Sequence, residues 1–195
     1  MSVALKSVVP GDYIDFGRKV EPTLLRGALP MAVVGLIVVI ALAATGRLRR
    51  VWRDQKDLPR PPIWMRLLII IPIAVTIAGL VRRVVQFNST GPALLGAILV
   101  LVLVVGFTEE LIFRGWVITE LRDRGFGEMH VMWISALLFG AWHLPNILLG
   151  QNVGQVLTQF ALTTLTGLID YAVRRTTRRL WPLMVLHAGW DFAVL

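Results

Sequence analysis

Four stretches of the chain carry no Asp, Glu, Lys or Arg: residues 27–46, 67–81, 84–108 and 129–169. At ~1.5 Å of rise per residue, each is long enough, or nearly so, to cross ~30 Å of hydrocarbon as a helix. The composition agrees. The sequence is 56% hydrophobic and 16% charged, and its mean hydropathy of +0.71 lies outside the range of ordinary soluble domains. The expected fold class is all-α, a polytopic bundle of about six transmembrane helices in the lipid bilayer. These fall at about 28–46, 63–82, 94–119, 129–149, 154–173 and 180–195, separated by connectors rich in Gly, Pro, Asn or Arg. Residues 1–27 read as an N-terminal segment and 28–195 as a single transmembrane domain. The opening stretch "MSVALKSVVPGDYIDF" is interrupted by Lys6 and Pro10 and lacks the apolar run of a cleaved signal.

The net charge of +8 does not point to nucleic acid, because the basic residues sit in short clusters beside apolar segments and form no long basic face. Membrane topology accounts for them better. The first, third and fifth connectors hold 13 Lys and Arg, the opposite side holds 6, and Arg114 completes the twenty. This asymmetry predicts cytoplasmic odd-numbered connectors and an amino end outside, in an integral protein of the plasma membrane. The absence of cysteine excludes a disulfide framework, a thiol nucleophile and a cysteine zinc site.

Against this apolar background, "GFTEELIFRGW" at 106–116 is costly. An acidic or basic side chain at a helix centre costs about 2.5 to 3.5 kcal/mol on insertion scales, several times the gain from one Leu or Ile. With the apolar pattern continuing through Ile118, a span of 97–118 sets Glu109 and Glu110 near mid-membrane. Glu110 and Arg114 stand four residues apart and share a helix face, so they can pair, while Glu109 points about 100° away. By itself that pattern also suits a plain ion pair that orients helices. His143, in "LLFGAWHLPN", lies at similar depth in the fourth helix, where Pro145 predicts a kink; a packing histidine would look the same. His187 and Asp191 again share one face, as two ligands of one metal or substrate oxygen, or as a ring held by a carboxylate. The tryptophans nearby read as belt and packing residues. Ser135 and the threonines of the fifth helix lack the setting of a nucleophile. Three polar sites at similar depth, on three helices, together suggest a watery cavity equipped for hydrolysis.

"EELIFRG" (109–115), "FGAWH" (139–143) and "HAGWD" (187–191), in that order, resemble the three motifs of the CAAX protease and bacteriocin-processing (Abi) family of intramembrane endopeptidases. The resemblance covers a core of about 97–195. It implies that Glu109 with His143 activates the attacking water, that Glu110 and Arg114 support the site, and that His187 and residue 191 bind the oxyanion. In the metal-dependent account Glu109, His143 and His187 would hold zinc. The family often has Asn where this chain has Asp191; an ionised Asp cannot donate to an oxyanion, so Asp191 is protonated, orients His187 or favours a metal. The partner expected is a peptide or membrane-protein substrate, prenylated in some members, with no nucleic acid. The rivals are a non-catalytic scaffold or immunity protein and an ion or proton transporter, though no inverted repeat supports the latter.

Overall fold

The computed structural model describes residues 17–54, 58–86 and 91–195. The N-terminal stretch before Gly17, and parts of the first and second connectors read above, lie outside the described residues. Six helical segments follow one another, with no strand among the described residues. They are α1 (Val20–Ala44), α2 (Ile63–Leu67 continuing as Ile70–Gln86), α3 (Pro92–Asp123), α4 (Glu128–Ala141, then a 3-10 segment Leu144–Leu149), α5 (Val153–Thr177) and α6 (Trp181–Val194). The first five are long and apolar enough to cross a membrane. With 14 residues, α6 extends about 21 Å and lies against α2 and α3.

Several boundaries differ from the sequence reading, among them the ends of α2 at Gln86 and α5 at Thr177, and three differences have a local reason. Helix α1 starts at Val20 rather than near 28, because Thr23 organises its first turn: Gly17 N–H donates to the Thr23 hydroxyl at 3.0 Å, and that hydroxyl donates to Lys19 C=O at 2.6 Å. Arg26 is buried within it. Helix α3 is longer than expected and changes pitch at Leu111–Val117, a wide π-helical turn that begins directly after Glu110 and contains Arg114. Such turns recur at functional positions. Helix α4 does not continue to 149. It stops at Ala141, since Pro145 removes a backbone donor and disfavours helical geometry just before it. His143 therefore sits at the break rather than mid-helix.

In hydrocarbon, lipid is as apolar as leucine, so close packing rather than hydrophobic burial brings helices together, and small residues mark the contacts. Two glycines show this. A Cβ on Gly106 of α3 would lie 2.9 Å from Met184 C=O and 3.1 Å from Ala188 N on α6. On Gly140 of α4 it would collide with the Thr164 hydroxyl and lie 2.9 Å from Phe160 C=O on α5. The first approach sets Glu109 and Glu110 against His187; the second holds α5 beside the α4 break.

The first, third and fifth connectors meet at one end. Arg47 pairs with Glu120 at 2.5 Å and Arg50 with Asp123 at 2.6 Å. Asp54 accepts from Arg122 at 2.6 Å and lies 3.5 Å from Arg175. Backbone bonds run from Leu180 N–H to Trp52 C=O at 3.1 Å and from Asp54 N–H to Arg178 C=O at 3.0 Å, tying the first connector to the start of α6. At the opposite end Arg83 donates to Phe192 C=O at 2.9 Å. The described helices thus alternate in direction, and the connectors richest in arginine share one face.

Candidate active site

The pitch change in α3 places a buried chain of charge between α3, α5 and α6. Arg114 donates to Glu110 Oε1 at 3.0 Å and to Asp170 Oδ2 of α5 at 2.7 Å. Its guanidinium lies 4.0 Å from the centroid of the Phe139 ring on α4, an attraction worth about 2 kcal/mol when desolvated. Glu110 Oε1 also accepts from His187 Nδ1 at 2.8 Å. Glu110 is fully buried and Arg114 only 1% exposed, so neither charge has water as an alternative partner. Their mutual pairing is what makes burial tolerable.

At the other edge of its ring, His187 Nε2 lies 3.7 Å from Glu109 Oε2 and 3.5 Å from Asp191 Oδ2. Glu109 Oε1 accepts from the indole N–H of Trp142 at 3.0 Å. The ring of Phe139 packs edge-on against both histidines, at 5.3 Å from His143 and 6.0 Å from His187. His143 Nδ1 contacts Phe139 C=O at 3.1 Å. A carbonyl only accepts, so this contact puts the proton on Nδ1 and leaves Nε2 with a lone pair.

Glu109, His143, Asp170, His187 and Asp191 all line one cavity of 1390 Å³. Its walls differ. Along α5 it is lined by Gln155, Gln159, Thr163, Thr166 and Asp170 together with Leu162 and Ile169; from α1, α2 and α3 come Met31, Val34, Ile71, Val75, Leu101 and Val105. Beneath the charged residues Arg114, Tyr171, Leu180 and Leu183 are buried. No described residue of the three arginine-bearing connectors lines the cavity, so among the described residues it is blind at that end.

Five of the six residues singled out from the sequence are in mutual contact through His187 or Glu110, and His143 faces the same cavity. Glu109 meets Trp142 and His187. Of the three readings left open for Asp191, its position beside His187 Nε2 fits the one in which it orients the ring. The sequence reading missed two participants. Asp170 carried a signal, being the first charged residue after the run 129–169 and inside an apolar helix. Trp142 stands within "FGAWH" but was read as a packing residue, since its indole finds Glu109 only in the packed bundle. Ser135 is buried, with its hydroxyl donating to Met132 C=O at 3.1 Å.

A resident metal would need several of these donors around one point. Among the described residues no three His, Asp or Glu side chains are so placed. As arranged, Glu109, His143 and His187 do not gather around one point, although His143, with Nδ1 turned to its own helix, keeps the Nε2 lone pair.

A family model described as type II CAAX prenyl endopeptidase Rce1-like matches residues 91–193, a little over half of the 195-residue chain. No curated protein and no solved structure matches the sequence.

Proposed function

Because this chain belongs to the Rce1-like family of type II CAAX prenyl endopeptidases, and is by that membership a membrane protease, we propose that Glu109 and His143 activate the water that cleaves its substrate. The observation that supports this best is the position of His187, held through Nδ1 by Glu110 at 2.8 Å while Nε2 faces Glu109. A scissile carbonyl seated there has a base on one side and a hydrogen-bond donor on the other.

Water held between Glu109 and His143 Nε2 attacks the carbonyl carbon, and its proton passes to the Glu109 carboxylate. The carbon–oxygen bond forms as the carbonyl π pair moves onto oxygen. A protonated His187 Nε2 holds that oxyanion, with Glu110 fixing the ring from behind and Asp191 from the side. When the intermediate collapses, the carbon–nitrogen bond breaks and Glu109 returns its proton to the departing amine. Each of these steps is carried by the chain's own side chains. Arg114 and Asp170 act as positioning residues for Glu110. Substrates are peptides or membrane proteins, prenylated or not, and the arginine-rich face is cytoplasmic, with the amino end outside.

The test compares wild type with Glu109→Gln in detergent on prenylated and unprenylated peptides and on transmembrane peptides, with and without a chelator. The variant keeps the shape and can still accept from Trp142. Loss of cleavage in the variant, with wild-type activity unaffected by chelator, is expected. Equal cleavage by both proteins sinks the catalytic assignment and favours the scaffold, while chelator sensitivity overturns the metal-free mechanism. A transporter reading is disfavoured by the blind end of the cavity.

A further inference from the structure

At the arginine-rich end the described carboxylates are all engaged. Asp54 is buried and turned to Arg122, Arg174 and Arg175. Glu120 pairs with Arg47 and Arg124, Asp123 with Arg50, and Glu128 with Arg122 and Arg175. Arg53 and Arg179 are exposed, and no carboxylate among the described residues pairs with either.

The fold nonetheless sets these two side by side. Arg178, left-handed at φ 56°, ends α5 and turns the chain so that residues 178–180 run antiparallel to 52–54, with Arg53 directly opposite Arg179. The bonds from Leu180 N–H to Trp52 C=O and from Asp54 N–H to Arg178 C=O flank the pair. Arg53 and Arg179 therefore occupy a non-hydrogen-bonded position, where facing side chains come closest, with Cβ atoms about 5 Å apart. Their neighbours Asp54 and Leu180 are buried, so by the alternation of extended chain both arginines point outward on one face. Like charges directly opposite each other are destabilising. The pairing persists because inward ties hold this strap, among them Arg174 donating to Val51 C=O at 2.8 Å and to Trp52 C=O at 3.2 Å.

An anion between the two guanidinium groups would turn that repulsion into attraction, and two planar forks of N–H donors match the oxygens of a phosphate. Position identifies the source. Trp181, two residues beyond Arg179 at the head of α6, is exposed, and indoles at the ends of membrane helices settle at the level of the lipid headgroups. We infer that Arg53 and Arg179 form a binding site for the phosphate of an anionic phospholipid. Val51 and Leu180, which flank the pair, pack with Leu111, the residue that follows Glu110. An occupied site therefore steadies the strap that supports the floor beneath Glu110. The inference does not depend on what the protein catalyses.

The test uses the full chain in detergent, with phosphatidylglycerol, phosphatidylcholine or inorganic phosphate added at matched concentration. Retained lipid is counted by native mass spectrometry and the unfolding midpoint is measured alongside. Wild type is compared with Arg53→Gln/Arg179→Gln and with Arg49→Gln/Arg60→Gln, which removes the same charge from two other exposed arginines of the first connector. Wild type and the Arg49/Arg60 variant are expected to retain phosphatidylglycerol in preference to phosphatidylcholine and to gain in midpoint with it. The Arg53/Arg179 variant should lose both effects, while its midpoint in phosphatidylcholine equals or exceeds that of wild type, because the repulsion is gone. Undiminished retention and gain in the Arg53/Arg179 variant overturn the site. An equal loss in the Arg49/Arg60 variant overturns it in favour of a diffuse basic surface. A gain from inorganic phosphate as large as that from phosphatidylglycerol overturns the lipid as occupant. A lower midpoint of the Arg53/Arg179 variant in phosphatidylcholine overturns the repulsion on which the argument stands.

Discussion

Two buried clusters of charge lie in this chain less than one helix length apart, and they are built to opposite plans. At the arginine-rich end, Asp54 and Glu128 face Arg122, Arg174 and Arg175. Spare guanidinium donors there go to backbone carbonyls: Arg174 to Val51 at 2.8 Å and Arg175 to Pro59 at 2.8 Å. Tyr171 adds a hydroxyl to Glu128. None of these residues lines the cavity. In the site the balance is reversed, with Glu109, Glu110, Asp170 and Asp191 around Arg114 and His187. Four of these six open onto the cavity. The difference teaches how to separate a clasp from a reaction centre when both are buried ion-pair networks. In the clasp, arginine is in excess and its spare donors end on backbone carbonyls; in the site, acid is in excess and faces a cavity that a substrate can fill.

The largest effect that would sharpen this contrast is catalytic. Replacing Glu109 with Gln should lower kcat by about 10²- to 10⁴-fold, the usual contribution of a positioned general base, with little change in thermal midpoint. Asp54→Asn, in the clasp, should leave cleavage per folded molecule near wild type. A comparable loss in both variants, measured on protein shown to be folded, would break the comparison.

Next come the buried arginines. Arg114→Ala and Arg122→Ala each strand carboxylates in a low-dielectric setting, and each should cost about 3 to 5 kcal/mol of stability, read as a lower unfolding midpoint in detergent. The clusters should then part company. Surviving Arg122→Ala protein keeps its cleavage rate, whereas Arg114→Ala loses the support of Glu110 and His187 and cleaves poorly. Arg114→Lys, which keeps the charge but not the two-armed reach to Glu110 and Asp170, should rescue stability better than activity.

A smaller effect tests the packing beneath the site. Gly106→Ala forces α3 away from Met184 and Ala188 on α6. A misplacement of ~1 Å between catalytic groups can cost up to about 100-fold in rate, so kcat should fall while the helical content seen by circular dichroism stays unchanged. The smallest effect is expected where charge is exposed. Arg50→Ala removes the pair with Asp123, whose arginine side is half exposed, and should change stability by at most about 1 kcal/mol. That change should shrink further in high salt.

Much of the bundle was legible because insertion into hydrocarbon is decided segment by segment. The charge-free runs located the helices, and the cost of burying Glu109, Glu110 and Arg114 marked α3 as the functional one. Boundaries failed where a local cap or pitch change intervened, as at Thr23, at the break before Pro145 and in the turn Leu111–Val117. Asp170 was passed over because periodicity ranks residues within a helix and says nothing about which neighbouring helix will face them.

What the sequence by itself determined, then, is what depends on one helix at a time: the membrane habit, the placing of the acids within α3, and the pairing of Glu110 with Arg114 and of His187 with Asp191, four residues apart on a shared face. The tertiary structure decided everything that needs two helices. It set His187 between Glu109 and Glu110, joined Arg114 to Asp170, brought Trp142 to Glu109 and closed the cavity at the arginine-rich end. These contacts arise where Gly106 and Gly140 let backbones approach, and that approach is a property of the packed bundle, which no single helix contains.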